Sequence, residues 1–173
     1  MTREIAQVES PIGIFRAVVI DGSVTTAGFL DPRAAPRKPS EAVRVRDTLT
    51  AYFAGDTDAL DSIPIAPEGT VFKQLVWKAL REVRAGETVS YGELAARVGA
   101  PGAARAVGTA NATNPICLAI PCHRVIRAGG DIGNYGFGVE RKRWLLDHEA
   151  RPGGLFAERA SAISTPGPVK ASR

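Results

Sequence analysis

The stretch AARAVGTANATNPICLAIPCHRVI, residues 103–126, decides the fold, because it passes from a short helical pattern into an apolar segment that ends on a cysteine and a histidine. The first ten residues favour a helix with Arg105 near its start. Residues 114–126 follow with prolines and an apolar run, which predicts a buried strand. Cys122 lies between Pro121 and His123, just before the glycine-rich loop RAGGDIGNYGFG at 127–138, where a side chain can be presented at the floor of a pocket. A thiol with a free pKa of ~8.5 needs a nearby base or cation to become thiolate. Candidates are His123, Arg124 and the later Glu149. Taken alone, the pair reads either as an activated nucleophile or as a core cysteine beside a surface histidine. Neighbouring side chains of an extended segment point to opposite faces, so proton transfer between Cys122 and His123 needs a bent backbone or a bridging water.

Upstream of this stretch, Thr70 opens a helical pattern with Phe72, Leu75, Val76, Ala79, Leu80 and Val83 on one face and Gly86 where a C-terminal cap belongs. Ser90-Tyr91-Gly92-Glu93 has the form of a capping box and starts a helix that stops at Gly99-Ala100-Pro101-Gly102. The two short helices across that turn read either as a helix-turn-helix or as two consecutive core helices. Downstream, ERKRWLLDHEA at 140–150 predicts a last helix with its basic residues outward and Trp144, Leu145 and His148 near one face. Toward the N-terminus, EIAQVES, GIFRAVVIDG and VTTAGFL predict a small antiparallel sheet with turns at Ser10-Pro11 and Asp21-Gly22. Ser40 is placed to cap a helix over 41–55, and an acidic, proline-punctuated linker follows. These patterns divide the chain into an α/β subdomain at 1–66, a second subdomain at 67–151, and a Pro-, Gly- and Ala-rich tail at 152–173 expected to lack fixed structure.

Composition bounds what such a chain can be. With 173 residues, 45% hydrophobic and 23% charged, it can bury a real core. Two cysteines and two histidines rule out a disulfide-stapled scaffold or a set of zinc fingers. No apolar run approaches the ~20 residues of a membrane span, and no apolar region follows the first arginine, so a cytoplasmic, reducing compartment and no membrane partner are expected. The net charge is +4, and residues 71–151 carry 12 Lys and Arg against 7 Asp and Glu, so the basic surplus sits in the second half. That surplus fits either a nucleic-acid surface or a merely solvated one.

The run IPCHRVI, preceded by AARAVGTANATNP and followed by GNYGFG and KRWLLDHE, closely resembles the O6-alkylguanine-DNA alkyltransferases, also called methylated-DNA:protein-cysteine methyltransferases. PCHRV is a specific signature of that family. The resemblance is strong from Val71 to Ala150; before it, SPIG and the FAG at Phe53 to Gly55 are also similar. It implies an α/β (α+β) fold: a ribonuclease-H-like α/β subdomain, then a helical winged-helix-like module with a helix-turn-helix. It implies a single-turnover DNA repair protein that takes the alkyl group of O6-alkylguanine, and of O4-methylthymine, onto Cys122. His123 would act through a water as base, Glu149 would hold His123, Asn114 would brace the turn, and Tyr91 would serve a ring nitrogen of the departing guanine. The carbonyls of Cys122 and Val125 and the N–H groups of Cys122 and Gly136 would read the base, in a pocket with Tyr135, Phe137 and Cys117. No metal or organic cofactor is implied.

A base inside a duplex must be rotated out to reach such a thiol. By resemblance, Arg105 fills the vacated place in the stack, while Ala103, Ala104 and Ala106 let their helix approach the minor groove of double-stranded DNA. Thr109, Asn111 and Arg124 join that DNA-contacting set, and a monomer is expected. A rival within reach of the same residues is an alkyltransferase-like protein that binds damage and recruits other repair factors, but those relatives replace the cysteine. Relatives with a structural zinc bind it in the N-terminal subdomain, where this chain has neither Cys nor His, so no zinc site is expected. Cys117 is expected to pack in the pocket wall, about 16 Å from Cys122 if the segment is extended at ~3.3 Å per residue, far beyond the ~7 Å reach of a disulfide. Phe137 stands where some relatives carry glycine, and it is expected to narrow the pocket entrance or to pack under the loop.

Overall fold

In a computed structural model, which describes residues 1–33 and 42–150, the chain is mixed α/β, with one three-stranded and one two-stranded sheet. Strands β1 (Arg3–Ser10), β2 (Gly13–Ile20) and β3 (Ser23–Phe29) form an antiparallel meander in that order. Alternation puts Ala6, Val8, Phe15, Ala17 and Val19 into the core. The second hairpin closes through Asp21 and Gly22, both at positive φ (47° and 82°), the handedness that matches strand twist. Helix α1 (Val43–Phe53) lays Val45, Leu49 and Tyr52 against β1. Its N-cap is Ala42, which supplies no side-chain bond; the expected cap, Ser40, lies outside the described residues, as does the tail from 152.

The free edge of β3 joins the two halves of the chain. Val24 donates its N–H to the Pro64 carbonyl (2.9 Å) and accepts from Ala66 (2.8 Å). Three residues on, Ala27 donates to Pro115 and accepts from Cys117, both at 2.9 Å. The cysteine-bearing segment is therefore stitched to the N-terminal sheet, and one continuous apolar cluster runs from Ala6 to Leu145.

Helix α2 (Val71–Arg81) is capped by Thr70, whose hydroxyl accepts from the Lys73 N–H. It ends at Arg81, well short of Gly86, because the chain tightens after Leu80: Glu82 and Val83 donate to Ala79 and Leu80. Its buried face carries Trp77 in place of the expected Leu75, which is 49% exposed. Trp77 Nε1 donates to the Ala110 carbonyl (2.9 Å) and so ties α2 to α4. The capping box at Ser90 and Glu93 is present and starts α3 (Tyr91–Arg97). A turn with Gly99 and Gly102 at positive φ leads into α4 (Ala104–Ala112). Strands β4 (Val89–Ser90) and β5 (Val125–Ile126) pair in parallel, and α5 (Val139–Glu149) follows the glycine loop.

Segment 114–126 departs from the expected strand. Leu118 adopts φ +69°, Ala119 and Ile120 donate back to Cys117 and Ile116, and residues Cys122–Arg124 form a 3₁₀ turn. The chain doubles back because Asn114 holds both of its ends: Nδ2 donates to the Ile120 carbonyl (2.7 Å), and Oδ1 accepts from the Ile116 N–H (2.9 Å). Such local side-chain bonds offer the backbone an alternative to a strand ladder.

Candidate active site

Cys122 is 6% exposed and forms part of a cavity of about 320 Å³ with Tyr91, Asn111, Asn114, Tyr135, Gly136 and Phe137. The cavity lies between α3 and α4 on one side and the glycine loop on the other. Behind Cys122, His123 is fully buried, with its Nε2 3.0 Å from Glu149 Oε1. Glu149 is the hub of the group. It accepts from the Tyr52 hydroxyl (2.7 Å), from Arg124 Nε (2.8 Å) and from a second Arg124 nitrogen (2.9 Å). Burial works against its ionisation, but the charge and hydrogen bonds of His123 and Arg124 outweigh this and hold its carboxyl well below the usual range. A carboxylate only accepts, so His123 Nε2 carries the proton and donates. The other ring nitrogen, Nδ1, is buried and without a protein partner.

The Cys122 thiol is drawn down to about 6. The main cause is a hydrogen bond from Cys117; burial opposes it, and the charge of His123 and hydrogen bonds from Asn114 and Tyr135 add to it. Such a group is largely thiolate near neutral pH. Cys117 moves the other way, pushed up by burial and then by the Cys122 sulfur, and it stays a thiol. Its Sγ lies 2.8 Å from the Tyr135 hydroxyl. The segment is not extended as expected: the turn at Leu118 folds it on itself, the Cys117 backbone pairs with Ile120, and the Cys117 thiol lies on Tyr135, a residue of the Cys122 cavity.

Other expected residues fall in more than one place. Arg105, Ala106 and Thr109 are exposed on α4, and Ala104 is half-buried beside them. Asn111 is on the pocket wall, its Nδ2 3.4 Å from the Cys122 carbonyl. Arg124, expected at DNA, is 3% exposed and donates to Glu149 and the Val83 carbonyl. The 3₁₀ turn points it inward, so it serves the Glu149 hub and not a surface. The Cys122 N–H, expected to read a base, already donates to Ile120 (2.8 Å). The Val125 carbonyl accepts from Lys142 Nζ (2.6 Å), a side chain expected outward but fully buried. Burial lowers the Lys142 ammonium to about 8. Gly136 is exposed at the pocket, with open space where a Cβ would be. Phe137 is both wall and packing: it contributes to the cavity while its ring meets Phe29 (5.6 Å) and Tyr135 (5.8 Å) edge to face.

Sequence reasoning missed Tyr52 and Lys142. Tyr52 carried only a core signal, in register with Val45 and Leu49 on α1. Nothing in that periodicity tells that its hydroxyl meets a carboxylate 97 residues away.

Fold and site together define a protein with a buried cysteine of lowered thiol pKa at a pocket beside a pair of short helices. Residues 71–151 match the family model described as 6-O-methylguanine DNA methyltransferase, DNA binding domain. The chain belongs to the methylated-DNA–protein-cysteine methyltransferase family. A methyltransferase of that name from Mycolicibacterium paratuberculosis is 42% identical over 154 residues, 86% of this chain and 93% of the relative. One from Shigella flexneri is 52% identical over 103 residues, so the chain matches 60% of that relative's length and 60% of its own. The crystal structure of Mycobacterium tuberculosis OGT in complex with DNA is similar with a TM-score of 0.73 and 42% identity, covering 84% of this chain and 92% of that one. The M. tuberculosis O6-methylguanine methyltransferase structure is similar at 0.74 and 39%, covering 91% and 99%.

Proposed function

We propose that this chain repairs DNA by taking the alkyl group of O6-alkylguanine, and of O4-methylthymine, onto Cys122 in one irreversible turnover. The observation that carries this reading is the thiol itself. It sits at the floor of a cavity, drawn down to about 6, with the buried His123–Glu149 pair directly behind it. In the proposed reaction the Cys122 proton passes through a water to His123 Nδ1, while Glu149 holds the ring from Nε2. The thiolate attacks the alkyl carbon in line; the S–C bond forms as the C–O6 bond breaks, and the guanine takes a proton with the help of the Tyr91 hydroxyl. A thioether is stable in water, so no second turnover follows.

The base reaches the thiol by rotation out of the duplex. Arg105 fills its place in the stack, and the small residues Ala104 and Ala106, with Thr109, let α4 enter the minor groove. Exposure of Arg105, Ala106 and Thr109 on one helix supports this. Base reading falls to the Gly136 N–H, the Cys122 carbonyl, the second lone pair of the Val125 carbonyl and Asn111. The chain acts without a cofactor, as a monomer in the cytoplasm. Its two subdomains, 1–66 and 67–151, are ribonuclease-H-like and winged-helix-like.

The test is intact and peptide mass spectrometry after mixing with duplex DNA containing O6-methylguanine. A gain of about 14 Da on the tryptic peptide spanning 106–124, lost in Cys122→Ser, is expected. A stable complex with no adduct would instead mark an alkyltransferase-like binding protein.

A further inference from the structure

The second cysteine is not consumed in that reaction, and the folded-back segment sets it beside the first. Leu118 turns the chain at φ +69°, the Cys117 backbone pairs with Ile120, two residues before Cys122, and the Cys117 thiol is turned toward Tyr135, which lines the same cavity as Cys122. The Cys117 Sγ is also anchored 2.8 Å from the Tyr135 hydroxyl. Only Cys122 faces the cavity; Cys117 is 1% exposed behind it. A small oxidant entering the pocket therefore meets Cys122 first, with a second thiol already in place beyond it.

We propose that Cys117 and Cys122 form a reversible oxidation site, in which peroxide attacks Cys122 and Cys117 closes the product as an intramolecular disulfide. In the first step the Cys122 thiolate attacks one peroxide oxygen: the S–O bond forms, the O–O bond breaks, and hydroxide leaves and is protonated to water. In the second, the Cys117 sulfur attacks the sulfenic sulfur, the S–S bond forms, and the oxygen departs as water with the Cys117 proton. Two thiols are oxidised by two electrons, and one peroxide is reduced to two waters. The low thiol pKa of Cys122 favours the first step, since thiolate is the reactive form. Capture by Cys117 keeps Cys122 from passing on to the sulfinic and sulfonic acids, which thiols do not reverse. Loss of repair on oxidation rests on Cys122 being the alkyl acceptor; the disulfide does not.

The full chain is treated with hydrogen peroxide, quenched, and analysed by mass before and after dithiothreitol, with methyl transfer assayed in parallel. The expected result is a monomer lighter by about 2 Da, with the change on the peptide spanning 106–124. Dithiothreitol should restore both the mass and the transfer, the latter to within about twofold of untreated protein. Cys117→Ser should instead gain about 32 or 48 Da at Cys122 and recover nothing. An oxygen adduct on Cys122 of the wild type with Cys117 still free to alkylate would overturn the proposal, as would a disulfide between two chains, or equal recovery in Cys117→Ser. If the mass falls by 2 Da reversibly but no methyl transfer is seen in any state, the oxidation site stands and the reading of Cys122 as acceptor fails.

Discussion

Cys122 and His123 are neighbours in the chain, yet their chemistry is set by groups far from them in sequence. The thiol should show this directly. Its rate of alkylation by iodoacetamide should rise with an inflection near pH 6, in contrast to ~8.5 for a free cysteine. Loss of the main hydrogen bond in Cys117→Ala should move that inflection upward, and an unmoved inflection would remove Cys117 from the account. Glu149 gives a prediction on stability. Its folded pKa is depressed, so its contribution is complete above its ordinary value of 4.5 and falls away as pH drops below it, where the unfolded chain takes up the proton first. Glu149→Gln should lose that acid dependence. It should also cost about 3–5 kcal/mol at neutral pH, since Arg124 is left buried beside an uncharged amide. Thermal melts across the acid range check both. The place of Cys122 in a pocket and the turn braced by Asn114 are legible in the sequence because Cys122, His123 and Asn114 lie within nine residues of one another. Arg124 was misread because its type is usually exposed, and only a turn that points it inward reveals its partner.

At the scale of elements, the helices were legible where local chemistry decides and obscure where tertiary contacts do. The Ser90 capping box needs only four residues, and it was visible. The early end of α2 and the doubled-back segment at 114–126 were not, because an apolar run with prolines has the same composition whether extended or folded over Asn114. The return of Cys117 toward the pocket is hidden for the same reason. The helix pair carries its own predictions. Under the proposed base rotation, in which the arginine would offset an unstacking cost of a few kcal/mol, Arg105→Ala should slow methyl removal from duplex DNA far more than from the free modified base. Equal losses on both substrates would place Arg105 in the chemistry or the fold. Trp77→Phe removes the bond to the Ala110 carbonyl and should lower stability by about 1 kcal/mol, read by urea denaturation.

Across the whole molecule, the N-terminal sheet lines none of the cavity but packs behind Phe137, one of the residues that do. Its contacts are specific: Arg141 donates to the Ile12 carbonyl (2.8 Å) and lies over the Phe29 ring, and Phe29 in turn meets Phe137. Gly28 on β3 completes the arrangement, since a Cβ there would come within 2.7 Å of Phe137 Cζ. The orientation of a ring that lines the pocket thus depends on a glycine 109 residues earlier in the chain. No reading of the glycine loop alone could show this, because the partner lies in the other half of the sequence. Pinned between β3 and Tyr135, the ring cannot swing away to admit a large substituent without breaking two aromatic contacts, each worth about 0.5–1.5 kcal/mol. O6-benzylguanine offered as free base should therefore inactivate the protein slowly, while O6-methylguanine in DNA is repaired readily. Phe137→Gly opens the space and should raise the benzyl rate by about tenfold or more, a gain that corresponds to about 1.4 kcal/mol of relieved crowding in the transition state. Gly28→Ala pushes on the ring from behind and should alter the benzyl rate while leaving alkylation of the Cys122 thiol by iodoacetamide near its wild-type value. If neither substitution changes the benzyl rate relative to the methyl rate, Phe137 packs the sheet to the loop and sets no limit on what the pocket admits.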